Sequence, residues 1–390
     1  MKRRSVSRTH DDSAEWQPCA APQNIEKLQD HPAVRDERHG SSDRRRARSL
    51  ERAVQLGVSE QATIIDMKRV LRFLLWSLVI AIAVIATVFG YFIYTPTPES
   101  PRLSGKVTRG TIDVGRMKRT YLTYVPRGLR NGAPLVIIMH GSGQSGARIR
   151  TSTAYAFDRL ADERGFAVVY PDGYEGYWNA CNVVGDYSAN GLNLDDVRFL
   201  TAVADQLIAG IGSDPRRVFA VGISRGGSMA IRLALEAPSR FRAVAAVSES
   251  VPTPDNFKCS PVPQGTSSIM IMNGTRDPIV PFDGGEVRFL GLLKRGKVRS
   301  SRASAQYFAD LNHIADAPDI RETRTSDGVR VEQVLWRNDS PVEVELVAIH
   351  GGGHGIPQPY VRYPRILGPT AREVNGPAIV WDFFERQRPR

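Results

Sequence analysis

Gly222-Ile223-Ser224-Arg225-Gly226 is the stretch on which the reading of this chain turns. Before it runs Val218-Phe219-Ala220-Val221, apolar, β-branched and aromatic, as a buried strand is; after it Ser228 to Leu235 has helical character. A serine on a sharp strand-to-helix turn stands exposed at the edge of a sheet, and glycines on either side let the backbone turn without a Cβ clash. Gly227 next in line lets the following helix pack closely. Five residues alone are a weak signal, so the context carries the inference: a nucleophilic serine, and acyl transfer as the reaction class.

A serine nucleophile needs a base and a group to orient that base. Ser268-Ile269-Met270-Ile271-Met272 reads as a buried strand, and Asn273 to Pro278 as the loop leaving its C-terminal end. Ligand and catalytic groups of open α/β sheets gather at such ends, which makes Asp277 the acid candidate; the competing reading is a turn-starting Asp before Pro278. Further on, Val342 to Ile349 reads as a strand running into His350-Gly351-Gly352-Gly353-His354-Gly355. A glycine-rich loop there can swing an imidazole back over the sheet edge, so His354 is the base candidate. His350 is the alternative, or a loop anchor, and His313 at the end of an amphipathic stretch reads as a surface or cap residue. The H-G-G-G-H pair lacks a third ligand for zinc, and the chemistry requires neither metal nor organic cofactor.

The oxyanion of such a reaction is held by two backbone N–H groups. One belongs to Arg225. The other is assigned to Ser142, in the small-residue loop His140-Gly141-Ser142-Gly143 after the strand Pro134 to Met139. Each such donor is worth about 3 kcal/mol in comparable sites. His140 is expected to brace that loop rather than to act as a base.

Strands near Arg119–Val125, Leu135–Met139, Ala167–Tyr170, Val218–Val221, Ala243–Val247, Ile269–Met272 and Val342–Ile349 alternate with helical stretches over much of residues 103–390. Alternation of this kind argues an α/β fold, a mainly parallel sheet wrapped by helices in one domain.

The N-terminal part differs. Phe73 to Tyr94 holds no charged residue over 22 positions, a length that as helix spans about 33 Å, enough for a bilayer core. Lys68, Arg69 and Arg72 precede it, and Pro96 and Pro98 follow it in the linker 96–102. The positive-inside rule makes residues 67–95 a membrane anchor, with the N-terminus cytoplasmic and the catalytic domain extracytoplasmic. Alternatively Met67 begins a cleaved secretory signal and the domain is secreted; either reading exports it. Residues 1–66, polar and arginine-rich, read as a disordered tail. Through Arg72 there are 15 basic and 11 acidic residues, so most of the formal charge of +11 lies elsewhere. No motif or aromatic interleaving accompanies the charge, which argues against a nucleic-acid partner.

Leu135 to Gly143, Tyr170-Pro171-Asp172-Gly173, Trp178-Asn179 with Cys181, Asp195-Asp196-Val197 with Phe199-Leu200, Gly222 to Gly227, Gly274-Thr275 with Asp277, and Gly351 to His354 stand in this order. In these pieces and their spacing, residues from about Leu103 to Arg386 resemble the polyhydroxybutyrate depolymerase and feruloyl esterase group of α/β-hydrolases, including the LpqC-type lipoprotein esterases. The resemblance implies an α/β-hydrolase fold and ester hydrolysis by a triad of Ser224, Asp277 and His354. Three positions depart from the group. Asn273 stands where histidine is usual, Ile356 lies where a tryptophan is frequent, and Arg225 replaces a small or amide residue, with a side chain long enough to alter the acyl pocket.

Cys181 and Cys259 lie in the exported part, and two cysteines in an oxidising compartment suggest one disulfide, with two buried thiols as the alternative. The resembling group has cysteines near these positions. Trp178 and Asn179 are expected to contact substrate, structural packing being the alternative for Trp178. Asp195 and Asp196 are expected to cap a helix. Two other functions compete with a serine esterase for soluble or oligomeric esters. They are a serine peptidase on the same fold and a non-catalytic envelope protein that keeps the scaffold.

Overall fold

The computed structural model describes residues 41–185, 187–258, 265–326 and 328–387. The chain divides after Val79 into two compact units. Across that boundary runs one continuous helix, α1 (Ser41–Phe92). Residues 41–66 of the expected tail are helical within α1; residues 1–40 lie outside the described residues. Ala, Leu, Arg, Glu and Gln dominate this stretch, all good helix formers, and no proline interrupts it. Charge signalled disorder, but charge on a helical repeat only makes a solvated helix. The apolar half of α1 is long and apolar enough to cross a membrane. It is exposed throughout, with Phe73 at 71% and Ile85 at 68%.

The unit from Ile80 onward holds the sheet. Its strands are β1 (Lys106–Val114), β2 (Met117–Val125), β3 (Leu135–Met139), β4 (Ala167–Pro171), β5 (Val218–Ile223), β6 (Ala243–Val247) and β7 (Ser268–Gly274). After these come the hairpin β8 (Gly285–Phe289) and β9 (Leu293–Val298), then β10 (Asp319–Arg324), β11 (Arg330–Trp336) and β12 (Val344–Ile349). Helices α2 (Gly146–Ser152), α3 (Ala156–Arg164), α4 (Ser188–Gly191), α5 (Asp196–Ile211), α6 (Arg225–Glu236), α7 (Ser301–Leu311) and α8 (Gly376–Arg386) lie between and after the strands.

Ten strands form one sheet in the order β1-β2-β4-β3-β5-β6-β7-β12-β11-β10. The six from β4 to β12 are mutually parallel, and antiparallel pairs close both edges. Period-2 alternation explains why the central strands are continuous apolar runs. Leu135, Ile137 and Met139 of β3 enter the core on one face, Val136 and Ile138 the core on the other. Strands buried on both sides need apolar residues at every position.

The chain passes from β3 to β4 on one side and then returns to place β5 on the other side of β3. Such a reversal leaves a crevice at the carboxyl ends of β3 and β5, where ligands of open α/β sheets bind. Those ends lead to His140 and Ser224 respectively.

Candidate active site

Ser224 joins β5 to α6 with φ of 55° and ψ of −122°. For a non-glycine residue such a conformation costs about 1–3 kcal/mol and persists only where neighbours over-determine it. Here they do. The Ser224 N–H donates to the Val247 carbonyl at 2.8 Å. A Cβ at Gly222 would lie 1.8 Å from the Gly226 carbonyl oxygen, and one at Gly226 would lie 2.3 Å from that of Met139. Glycine is what lets three backbone segments meet beneath the serine.

The histidine loop is built the same way. A Cβ at Gly353 would lie 2.4 Å from the Leu367 carbonyl oxygen, and one at Gly274 would lie 2.3 Å from that of Gly352. The loop after β12 therefore rests directly on the end of β7, which brings His354 to Asp277. Nδ1 of His354 lies 2.7 Å from Oδ2 of Asp277, whose side chain is almost fully buried. Oδ1 of Asp277 accepts the Ile279 and Val280 N–H groups at 2.8 and 2.9 Å. With Nδ1–H donating to a carboxylate, Nε2 is left to accept a proton.

A cleft of about 550 Å³ opens over these groups, its lining including Gly141, Ser142, Ser224, Arg225, Glu249 and His354. A Cβ at Gly141 would stand 3.4 Å from Cβ of Ser224, so this loop lies against the serine. The backbone N–H groups of Ser142 and Arg225 have no acceptor among the described residues. A strained serine, a carboxylate-oriented imidazole and two free N–H groups in one cleft suit attack on a carbonyl carbon.

Comparison with known proteins agrees with that chemistry. Residues 119–278, which include Ser224 and Asp277, match the family model described as Esterase PHB depolymerase. The chain carries an esterase PHB depolymerase domain. It is 28% identical over 303 residues to a candidate esterase, NocK, of Nocardia uniformis subsp. tsuyamanensis, covering 75% of this chain and 86% of that one. It is 25% identical over 253 residues to poly(3-hydroxyalkanoate) depolymerase C of Paucimonas lemoignei, covering 60% of this chain and 58% of the relative. Among solved structures, an acetyl xylan esterase from Aspergillus awamori superposes with a TM-score of 0.50 at 15% identity. That match covers 72% of this chain and all of the other, and it shows the shared fold. The chain is a carboxylic ester hydrolase, and the family resemblance read from the motifs is borne out.

Within this esterase the other singled-out residues fall into place. His140 is buried, its Nδ1 bonded to the Gly141 carbonyl at 2.8 Å and its Nε2 accepting the Gly173 N–H at 2.9 Å. Burial holds its pKa below the usual imidazole value, and both nitrogens brace the loop as expected. Trp178 and Asn179 do not line the cleft. Trp178 is fully buried, donating from Nε1 to the His140 carbonyl at 2.9 Å and packing against the His140 and Phe199 rings. Asn179 is spent on Leu194 and Asp196. The expected substrate contacts give way to a packing role that supports the loop after β3.

Asp195 caps α5, accepting the Arg198 N–H at 2.9 Å, but Asp196 is buried in an ion pair with Arg119 at 2.8 Å. His350 joins Glu332 and Arg330 on the sheet edge, and His313 is exposed beyond the end of α7. Cys181 is disulfide-bonded; Cys259 lies outside the described residues.

Arg225 lines the cleft, but its guanidinium is held by fixed partners within the fold. Nε and Nη2 donate to the Trp178 carbonyl, Nη1 to Asn182 Oδ1 at 2.6 Å and Nη2 to Asn190 Oδ1 at 2.8 Å. It also stacks 3.9 Å over the Tyr187 ring. Arg225 thus ties Trp178, Asn182, Tyr187 and Asn190 together, and of these Asn182 and Tyr187 line the cleft.

Sequence reasoning missed Glu249. It lies two residues past β6, buried in the cleft wall, with Oε2 accepting from Ser228 Oγ at 2.7 Å and Oε1 from the Ser250 N–H at 3.1 Å. Burial raises its pKa above the usual carboxylate value. Asn273 holds this segment by exchanging hydrogen bonds with the Glu249 backbone, both at 3.0 Å. The available signal was position: Glu249 follows a fully buried strand at the edge where Asp277 and His354 also emerge.

Proposed function

We propose that this esterase works through an acyl-enzyme on Ser224. The observation that carries the proposal is the His354–Asp277 pair at 2.7 Å in the same cleft as the strained serine. His354 Nε2 takes the Ser224 Oγ proton as Oγ bonds to the ester carbonyl carbon. The Ser142 and Arg225 N–H groups stabilise the resulting oxyanion. Collapse breaks the carbon–oxygen bond to the alcohol, which leaves with the proton from His354. Water then gives its proton to His354 and attacks the acyl-enzyme, releasing the acid and restoring Ser224. The relatives' names supply the substrate panel: hydroxyalkanoate oligomers, feruloyl esters and acetylated carbohydrate.

The reading extends to location. The apolar half of α1 anchors the chain as a single membrane pass, with Lys68, Arg69 and Arg72 on the cytoplasmic side and the catalytic unit outside. The test is hydrolysis of p-nitrophenyl acetate by the full chain in detergent, with Ser224→Ala beside it. Loss of turnover and of fluorophosphonate labelling in the variant supports the proposal. Unchanged turnover by a folded Ser224→Ala chain overturns it.

A further inference from the structure

The hairpin of β8 and β9 ends in Phe289-Leu290-Gly291-Leu292-Leu293, and four of those side chains are exposed, Leu292 at 81%. The turn itself is unusual. The Leu292 N–H bonds to the Phe289 carbonyl at 3.2 Å, and the two residues between have left-handed backbones, Leu290 at φ 53° and Gly291 at φ 70°. Glycine, asparagine or aspartate ordinarily fills such positions. A leucine there is strained and its side chain is exposed, so neither local conformation nor packing among the described residues accounts for it. A local rule broken with no compensation inside the fold points to function.

Three further observations say what the tip meets. Directly behind it, Arg288 pairs in register with Lys294, and neither forms an ion pair among the described residues. Phe289 and Arg295 of the hairpin line the catalytic cleft, and so do Thr95 to Pro98, the residues that follow α1. The end of α1 is fastened at the same place. Arg365 donates to the Tyr91 carbonyl at 2.9 Å and stacks 4.3 Å from the Tyr91 ring, while its neighbour Pro364 lines the cleft. All of these residues belong to the unit after Val79. The cleft mouth is therefore bounded on one side by the exit of the apolar helix and on another by an apolar tip with cations behind it. Leucines with basic residues one register step back are suited to burial at the acyl–headgroup boundary of an anionic bilayer.

We propose that the β8–β9 tip docks on the anionic phospholipid surface of the membrane that holds α1, so that the cleft opens onto the bilayer and receives amphiphilic esters from it. The proposal rests on the reading of α1 as an anchor. The experiment is hydrogen exchange by mass spectrometry on the full chain in lipid nanodiscs of phosphatidylcholine, alone or mixed with phosphatidylglycerol. Docking slows exchange across residues 286–294 by about tenfold or more in the anionic discs, less in the neutral ones. The double variant Leu292→Asp, Leu293→Asp removes the protection, and both changed side chains are solvent-exposed, so the fold survives. Exchange that is equally fast in every disc, or protection that rises with the number of chains per disc rather than with anionic lipid, overturns the proposal. A chain that does not co-purify with discs sinks the anchor and the docking together. Protection with no ester hydrolysis overturns the catalytic reading alone.

Discussion

Asp277→Asn separates an orienting carboxylate from a turn residue. Both carboxylate oxygens of Asp277 are engaged: Oδ1 by the Ile279 and Val280 N–H groups, Oδ2 by Nδ1 of His354. An asparagine has one oxygen, and two fixed N–H donors claim it. Its NH₂ is then forced toward His354, where it donates to Nδ1 and moves the imidazole proton to Nε2. In that tautomer the ring cannot take the serine proton. The same replacement in a serine protease triad costs about 10⁴ in kcat, and the geometry here predicts a loss of about 10³ to 10⁴, or about 4–5.5 kcal/mol of barrier. Because both N–H bonds to Oδ1 survive, the melting temperature should move little. The assay is kcat for p-nitrophenyl acetate on full-length chains, with a thermal melt as the folding control. A loss under tenfold in a folded variant would refute the assignment. Glu249, the other buried carboxylate of the cleft, would then be the acid to examine.

Three further outcomes follow from the same contacts. Gly222→Ala places a Cβ 1.8 Å from the Gly226 oxygen, so it should lower stability by more than about 3 kcal/mol, seen as aggregation or a collapsed denaturant midpoint. Arg225→Lys loses the fork that reaches Trp178, Asn182 and Asn190; stability should fall by about 2 kcal/mol or more, with faster hydrogen exchange in residues 178–190, and an unchanged melt would contradict the bracing role. Burial raises the Glu249 pKa, so the unfolded chain releases this proton first and stability falls as pH rises from the usual carboxylate value through the raised one. Glu249→Gln should flatten that slope in chemical denaturation at a series of pH values; an identical slope would mean that Glu249 does not titrate in this way.

What was legible in the sequence was whatever local pattern determines. Ser224, Asp277 and His354 each sit just past an apolar run, and a strand buried on both faces must be such a run. The strands that escaped notice lack that mark. β10, Asp-Ile-Arg-Glu-Thr-Arg, is exposed at every position and exists because β11 offers it a ladder. The hairpin of β8 and β9 likewise shows little alternation. The helix over residues 41–66 was hidden by its charge, although its residue types favour helix. In the site, side-chain direction was the gap. Sequence placed Trp178 and Arg225 near the serine, but not the turn of the backbone that sends the indole to the His140 carbonyl and the guanidinium to Trp178, Asn182 and Asn190. Glu249 was hidden because Ser-Glu-Ser reads as an ordinary polar loop.

The two buried ionisable side chains beside Ser224, Arg225 and Glu249, are best understood through the strain at Ser224. A serine held at φ 55° would relax if the start of α6 could shift. Four attachments prevent this. Gly226 is pressed against the Met139 carbonyl, Gly227 lies against Glu249 with room for no Cβ, Ser228 bonds to the Glu249 carboxylate, and Arg225 is locked into residues 178–190. The first turn of α6 is thereby fixed to β3, to the segment after β6 and to Asn182 and Asn190 at once. Buried ionic groups are a costly way to gain stability, and apolar residues would fill the same space. What they add here is direction: each hydrogen bond admits one geometry, and together they hold the first turn of α6 in one place, as the proposed role of the Arg225 N–H requires. An oxyanion hole is effective in proportion to how little it must rearrange as charge develops.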